Sequence, residues 1–210
     1  MVSAIEAPRY VEAPETYKKG DILIHEAEII DRTKELAAQI ARDYQGKELL
    51  IVGVMKGAVP TLTDLAKALH RIGYHNFRTD WLTVGSYGSG TESNRDPKLS
   101  QRMTRDPRGK HVFVVDEVSE TGHTMKLVED KLEDEGAESV ASLVLVQKMG
   151  TRLVGNQATY IGFSIYSKKP LWLQGYGMDS EDGLGREDPD IRIGPYHYEN
   201  ESVPQPLSTA

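Results

Sequence analysis

The sequence predicts an α/β fold, a mainly parallel central sheet flanked by helices, and three observations carry that expectation. Short unbroken apolar runs, "LLIVGV", "VFVV" and "VASLVLV", have the length and the Val/Ile/Leu content of strands buried on both faces. Stretches of helical period separate them, and strand-helix alternation is the pattern of parallel units covered by helices on both sides. In such sheets ligands bind at the carboxyl ends of the strands, so the residues after each run are where function is sought.

Residues 25–47 place Ile29, Ile30, Leu36, Ala37, Ile40, Ala41 and Tyr44 near a helical period, with Gly46 closing the helix. The strand in "ELLIVGVMKG" follows. Then "TLTDLAKALHRIG" offers Thr61 or Thr63 as an N-cap, Leu62, Leu65, Ala66 and Leu69 as an apolar stripe, and Gly73 as the stop. "FRTDWLTVGSYG" alternates as a strand and opens into "SGTESNRDPKLSQ", which is too polar and glycine-rich for core. A third buried strand, "HVFVV", leads to a helix from about Thr124 to Glu135, stopped by Gly136, and "SVASLVLVQK" is the next strand. "YIGFSIY" and "LWLQGYGMD" are shorter β-like pieces. Residues 1–20, interrupted by Pro8 and Pro14, and the polar, proline-broken stretch 194–210 are expected to be arms outside the core.

Composition bounds the function. At 210 residues and 39% hydrophobic content the chain has material for one sizeable core. A net charge of -7 argues against a surface built for nucleic-acid phosphates or an anionic membrane. The absence of cysteine excludes disulfides, thiolate nucleophiles and cysteine-ligated zinc. No apolar run suits a signal peptide or a membrane span, so a soluble cytoplasmic protein is expected.

The stretch "HVFVVDEVSETGHTM" concentrates the chemistry. If Val112 to Val115 fill a central strand, Asp116 and Glu117 emerge at its carboxyl end, where carboxylates can accept hydrogen bonds from a diol or hold a cation. Next, "SETGHTM" supplies backbone N–H groups in a tight turn that enters a helix N-terminus, with Gly122 free to take positive φ. Such a turn cradles an anion. An acid pair beside a phosphate cradle suits a sugar diol a few atoms from a phosphate, the layout of ribose 5-phosphate. The same pattern also fits the magnesium segment of a P-loop nucleoside triphosphatase, although the companion G-x-x-x-x-G-K-[ST] is missing, or an ordinary strand end with solvated acids.

"VVDEVSETGHT" resembles the binding motif for 5-phosphoribosyl 1-pyrophosphate (PRPP) in type I phosphoribosyltransferases, and the rest of the chain resembles their hypoxanthine-guanine branch. "GVMKGAVPTLTDLAKAL" is similar to the branch's pyrophosphate loop, "SYG" to the start of its mobile catalytic loop, "VASLVLVQK" to its base-recognition strand and "GFSIYSKKPLWLQGYGMD" to its hood. The likeness spans about residues 20 to 193. It implies the type I fold with a small hood subdomain: an N-terminal arm over 1–20 that is partly hood, a phosphoribosyltransferase domain over 21–193 with hood elements at about 160–193, and a C-terminal arm.

The resemblance also implies roles. Asp116 and Glu117 would bind the ribose hydroxyls, stabilise the oxocarbenium-like sugar and help hold Mg²⁺; the Asp-Glu order reverses the usual Glu-Asp. Glu120 falls where the branch carries an aspartate that exchanges a proton with N7 of a 6-oxopurine. Thr121, Gly122, His123 and Thr124 would cradle the 5'-phosphate. Lys56 and Gly57 would bind pyrophosphate, with a cis peptide expected at Met55–Lys56, and Arg186, one position out of register, would join them. Lys148 would donate to the exocyclic O6 and so disfavour an amino group there. Trp172 would stack on the purine, Leu173 would offer its backbone to the purine edge, and Asp179 would sit near the magnesium. Ser86 and Tyr87 would open a lid that keeps water from the activated sugar.

The expected partners are PRPP, a purine base, a nucleoside monophosphate and pyrophosphate, with neither nucleic acid nor membrane, and a homodimer or homotetramer is implied. A transferase for another base and a nucleotide-sensing regulator without turnover remain alternatives.

Overall fold

The computed structural model describes residues 6–85, 98–101, 103–149, 157–180 and 183–194. In chain order these form β1 (Arg9–Glu12), β2 (Ile22–Ile24), α1 (Glu26–Asp43), β3 (Leu49–Met55), α2 (Val59–Arg71), β4 (Phe77–Gly85), β5 (Lys98–Gln101), β6 (His111–Ser119), α3 (His123–Asp134), β7 (Ser139–Lys148), β8 (Tyr160–Tyr166), β9 (Trp172–Gln174) and β10 (Ile191–Gly194). Seven strands make the central sheet in the order β1-β8-β7-β6-β3-β4-β5. All neighbours are parallel except β4 and β5, which pair antiparallel. A small sheet, β2-β10-β9, is antiparallel throughout.

The period-two alternation of the central strands divides the core. Leu49 and Ile51 of β3 with Phe113 and Val115 of β6 point towards α1 and α2, where Leu36, Ile40, Leu62, Leu65 and Leu69 cover them. Leu50, Val52, Val54, Val112 and Val114 point the other way and meet Met125, Val128 and Leu132 of α3. Helices therefore lie on both faces, which is why these strands are apolar without interruption. At Gly53 a Cβ would come within 2.3 Å of the Trp81 ring, so a glycine lets the indole lie against β3. A third apolar group, including Ile24, Leu145, Phe163, Leu173, Tyr176, Ile191 and Ile193, joins the small sheet to the end of the large one.

Three expectations need correction. Residues 9–12, expected in an arm, form an edge strand of the central sheet, because β8 presents an open edge and Arg9 to Glu12 pair with Phe163 to Tyr166. Buried Arg32 reinforces that side by donating to the carbonyls of Ala7, Ile161 and Gly162. Of the stretch expected in the hood, Tyr160–Tyr166 belongs to the central sheet, and β9 and β10 build the small sheet with β2, a grouping across distant segments that no local pattern marks. Finally, α2 begins at Val59, before either threonine proposed as cap, since Pro60 in its first turn presets helical φ.

Candidate active site

The acids of β6 sit inside the strand rather than beyond it. Pairing with β7 continues to Ser119↔Gln147, while pairing with β3 stops at Gly53↔Val115. On the β3 side Asp116 and Glu117 thus run free of the ladder and lie beside the turn that follows β3. Contact there is close: a Cβ at Gly57 would stand 2.0 Å from the Glu117 carboxylate. The Met55–Lys56 peptide is cis, as the resemblance implied. Lys56 is exposed, and Gly57 is buried against the acid.

Asp116 is buried, and its Oδ1 accepts the Glu117 backbone N–H at 3.0 Å. Burial pushes its carboxyl well above the usual carboxylate range, and the neighbouring Glu117 charge pushes it further. Two carboxylates that repel each other in a part-buried place favour a ligand that donates hydrogen bonds or brings positive charge. No group of three or more His, Asp or Glu side chains converges on one point among the described residues. The donor set of the pair still fits Mg²⁺, which keeps several waters and completes its shell with one or two carboxylates and phosphate oxygens.

After β6 the chain turns through Gly122, whose φ of 84° lies in the left-handed region, into α3 at His123, one residue earlier than expected. The Lys126 N–H donates to the Gly122 carbonyl at 3.0 Å and closes the first helical turn. The N–H groups of His123, Thr124 and Met125 precede any intrahelical acceptor, the arrangement that receives an anion. The His123 N–H lies 3.5 Å from Thr121 Oγ1. Thr121, Gly122, His123 and Thr124, the residues expected to form the cradle, are therefore gathered in one turn at the start of α3.

Beside the cradle, Lys148 Nζ and Glu120 form an ion pair. The lysine side chain is only 14% exposed, against 49% for the glutamate, so the cation is largely withdrawn from water. The residue expected to read the base and the one expected to exchange its N7 proton thus meet across the ends of β6 and β7. Buried Gln147 was missed by the sequence reading. Its amide donates to the Ser119 carbonyl at 3.3 Å and ties the loop carrying Glu120 to β7.

The small sheet supplies the remaining groups. Trp172 is 42% exposed, and its indole N–H donates to the Asp179 carbonyl at 3.2 Å. Leu173 is buried and pairs with Ile193. Arg186 donates to the Gly177 carbonyl and forms an ion pair with Asp179. A Cβ at Gly177 would lie 1.9 Å from the Gly57 carbonyl, which places the Gly175–Gly177 turn against the turn after β3. Ser86 and Tyr87 lie outside the described residues.

The chain matches the phosphoribosyl transferase domain over residues 20–181. It is 34% identical to the hypoxanthine-guanine phosphoribosyltransferase of Lactococcus lactis subsp. lactis over 77% of this chain and 84% of that protein. A solved structure of Staphylococcus aureus hypoxanthine phosphoribosyltransferase superimposes with a TM-score of 0.75 at 31% identity, covering 86% of this chain and 94% of that one. A structure of the Trypanosoma cruzi hypoxanthine phosphoribosyl transferase gives the same TM-score and coverage at 29% identity. The chain belongs to the type I phosphoribosyltransferase family, in its hypoxanthine-guanine branch.

Proposed function

We propose that this protein transfers the 5-phosphoribosyl group of PRPP to a 6-oxopurine, hypoxanthine, guanine or xanthine, releasing pyrophosphate and a nucleoside 5'-monophosphate. The observation that carries the reading is the Lys148–Glu120 pair at the joined ends of β6 and β7. Lysine has donors only, so when a base enters, its 6-oxo oxygen can take a hydrogen bond from Lys148 where a 6-amino group cannot. That exchange frees the Glu120 carboxylate to accept the proton that N7 must lose. A base nitrogen then gives its lone pair to C1 of the ribose, and the C1–O bond breaks with its electrons leaving on pyrophosphate.

The developing positive charge on the sugar faces Asp116 and Glu117, whose carboxylates also accept from the ribose hydroxyls. Thr121 to Thr124 hold the 5'-phosphate, Lys56, Gly57 and Arg186 hold the pyrophosphate, and Trp172 and Leu173 hold the base. Asp116, Glu117 and Asp179 would hold Mg²⁺, which when bound neutralises the crowded phosphate oxygens. A hood built on the small sheet of β2, β9 and β10 would close over the base, and a dimer or tetramer is the assembly in this reading. No described helix is long and apolar enough to cross a membrane, in keeping with action in the cytoplasm.

The test is pyrophosphate release from PRPP and Mg²⁺ with hypoxanthine, guanine, xanthine or adenine supplied singly. Turnover with one or more 6-oxopurines and none with adenine is expected. Tight PRPP or nucleotide binding without turnover on any base would replace this reading with a regulator.

A further inference from the structure

We infer that Tyr176 is a positioning residue for the pyrophosphate half of the site, fastening the Gly175–Gly177 turn to α2 through Asp64; the inference rests on the phosphoribosyl-transfer reading above. Three successive residues of this turn, Gly175, Tyr176 and Gly177, have φ of 93°, 47° and 97°. Glycine adopts such angles freely, but a bulky side chain is strained there, and strain of this kind persists only where surrounding contacts impose it. The contacts are visible. The Tyr176 hydroxyl donates to Asp64 Oδ2 at 2.7 Å, and its N–H donates to the Asp188 carbonyl at 2.7 Å. The ring is buried, and both burial and the Asp64 carboxylate push the hydroxyl's pKa up, so it stays a donor throughout the range in which enzymes work.

Asp64 lies on α2, the helix that grows directly out of the Lys56–Gly57 turn. On the other side, Gly177 packs its Cα against the Gly57 carbonyl and gives its own carbonyl to Arg186, which also holds Asp179. One hydroxyl therefore joins the two segments that would enclose pyrophosphate. The base half is held chiefly by other contacts: Trp172 and Leu173 through pairing with β10, with the Trp172 indole also donating to the Asp179 carbonyl, and Lys148 and Glu120 through the central sheet. Loss of the Tyr176 hydroxyl should then loosen only one half.

The experiment uses the full chain with Tyr176→Phe, which keeps the ring and removes the hydrogen bond, and measures binding of PRPP with Mg²⁺ and of a 6-oxopurine nucleoside 5'-monophosphate by calorimetry. The monophosphate fills the base, ribose and 5'-phosphate positions and leaves the pyrophosphate position empty. PRPP should bind roughly tenfold more weakly, the scale of one hydrogen bond to a charged group, with the monophosphate unchanged. Asp64→Ala should reproduce this split, and combining both substitutions should add little. Equal weakening of both ligands would make Tyr176 a general structural anchor, and unchanged PRPP affinity would show no coupling; either overturns the inference while leaving the transferase reading intact. Wild-type protein that binds neither ligand would overturn the transferase reading itself, and the inference with it.

Discussion

Two buried aspartates on the same sheet, Asp80 of β4 and Asp116 of β6, are 6% and 7% exposed, yet their surroundings differ in kind. Asp80 accepts the N–H groups of Trp81, Thr104 and Arg105 at 2.8, 2.9 and 2.7 Å and the Thr104 hydroxyl at 3.0 Å. Burial pushes its carboxyl up, but those donors outweigh burial and hold it below its ordinary value. Asp116 accepts a single backbone N–H and faces a second carboxylate, so burial and repulsion both push it up. The first acid has every need met by the chain, fastening the segment at 104–105 to β4. The second is buried beside a carboxylate that repels it, a conflict that a ligand bringing donors or a cation would relieve, as expected where folding stability is given up for function.

Substitutions can break this contrast. The largest effect is expected from Asp116→Asn, which keeps the shape and removes the charge: turnover should fall by at least about 100-fold, the scale of one electrostatic contact to a developing charge. Steady-state kinetics with a 6-oxopurine check it. Next is Gly57→Ala, whose new methyl would press into the Glu117 carboxylate. It should lower kcat/KM for PRPP by roughly tenfold, about 1.4 kcal/mol, through misplaced groups rather than altered charge.

Asp80→Ala should act on stability instead. It strands several buried donors and should cost about 2 kcal/mol in a urea titration, while kcat changes by less than about twofold. The smallest effect is on pH dependence. Asp80 titrates lower in the folded than in the unfolded chain, so its contribution is present above the ordinary aspartate range and is lost as pH falls through its folded value. For Asp116 the sign reverses: the folded chain keeps the proton more tightly, so stability declines as pH rises from the ordinary range through the raised value. Melting curves for the two single variants across pH should show these opposite slopes removed one at a time.

Legibility in the sequence follows from range. β3, β6 and β7 were readable because burial on both faces writes a continuous apolar run, and the cradle because acids, glycine and threonines sit within nine residues, Asp116 to Thr124. β1 was not readable: four residues between Pro8 and Pro14 make a strand only because β8 leaves an edge for them. Contacts between distant segments also left no local trace. Asp64 with Tyr176, Asp80 with Thr104 and Arg105, and Gln147 with Ser119 use residue types that are ordinary on any helix or strand. For Lys148 and Glu120 the resemblance named both residues, but their ion pair came only from the register of β6 against β7.

The most direct measurement is the melting temperature of the wild-type chain and of Asp116→Asn, each alone and each with PRPP and Mg²⁺. Without ligand the asparagine variant should be the more stable, by about 1 kcal/mol, because a strained buried carboxylate has been removed. With ligand the order should invert, since only the wild-type pair can satisfy the ribose hydroxyls and the cation. A variant that melts lower than wild type without ligand, or that gains as much from PRPP and Mg²⁺, would contradict the claim that the acids at the end of β6 are kept for the sugar.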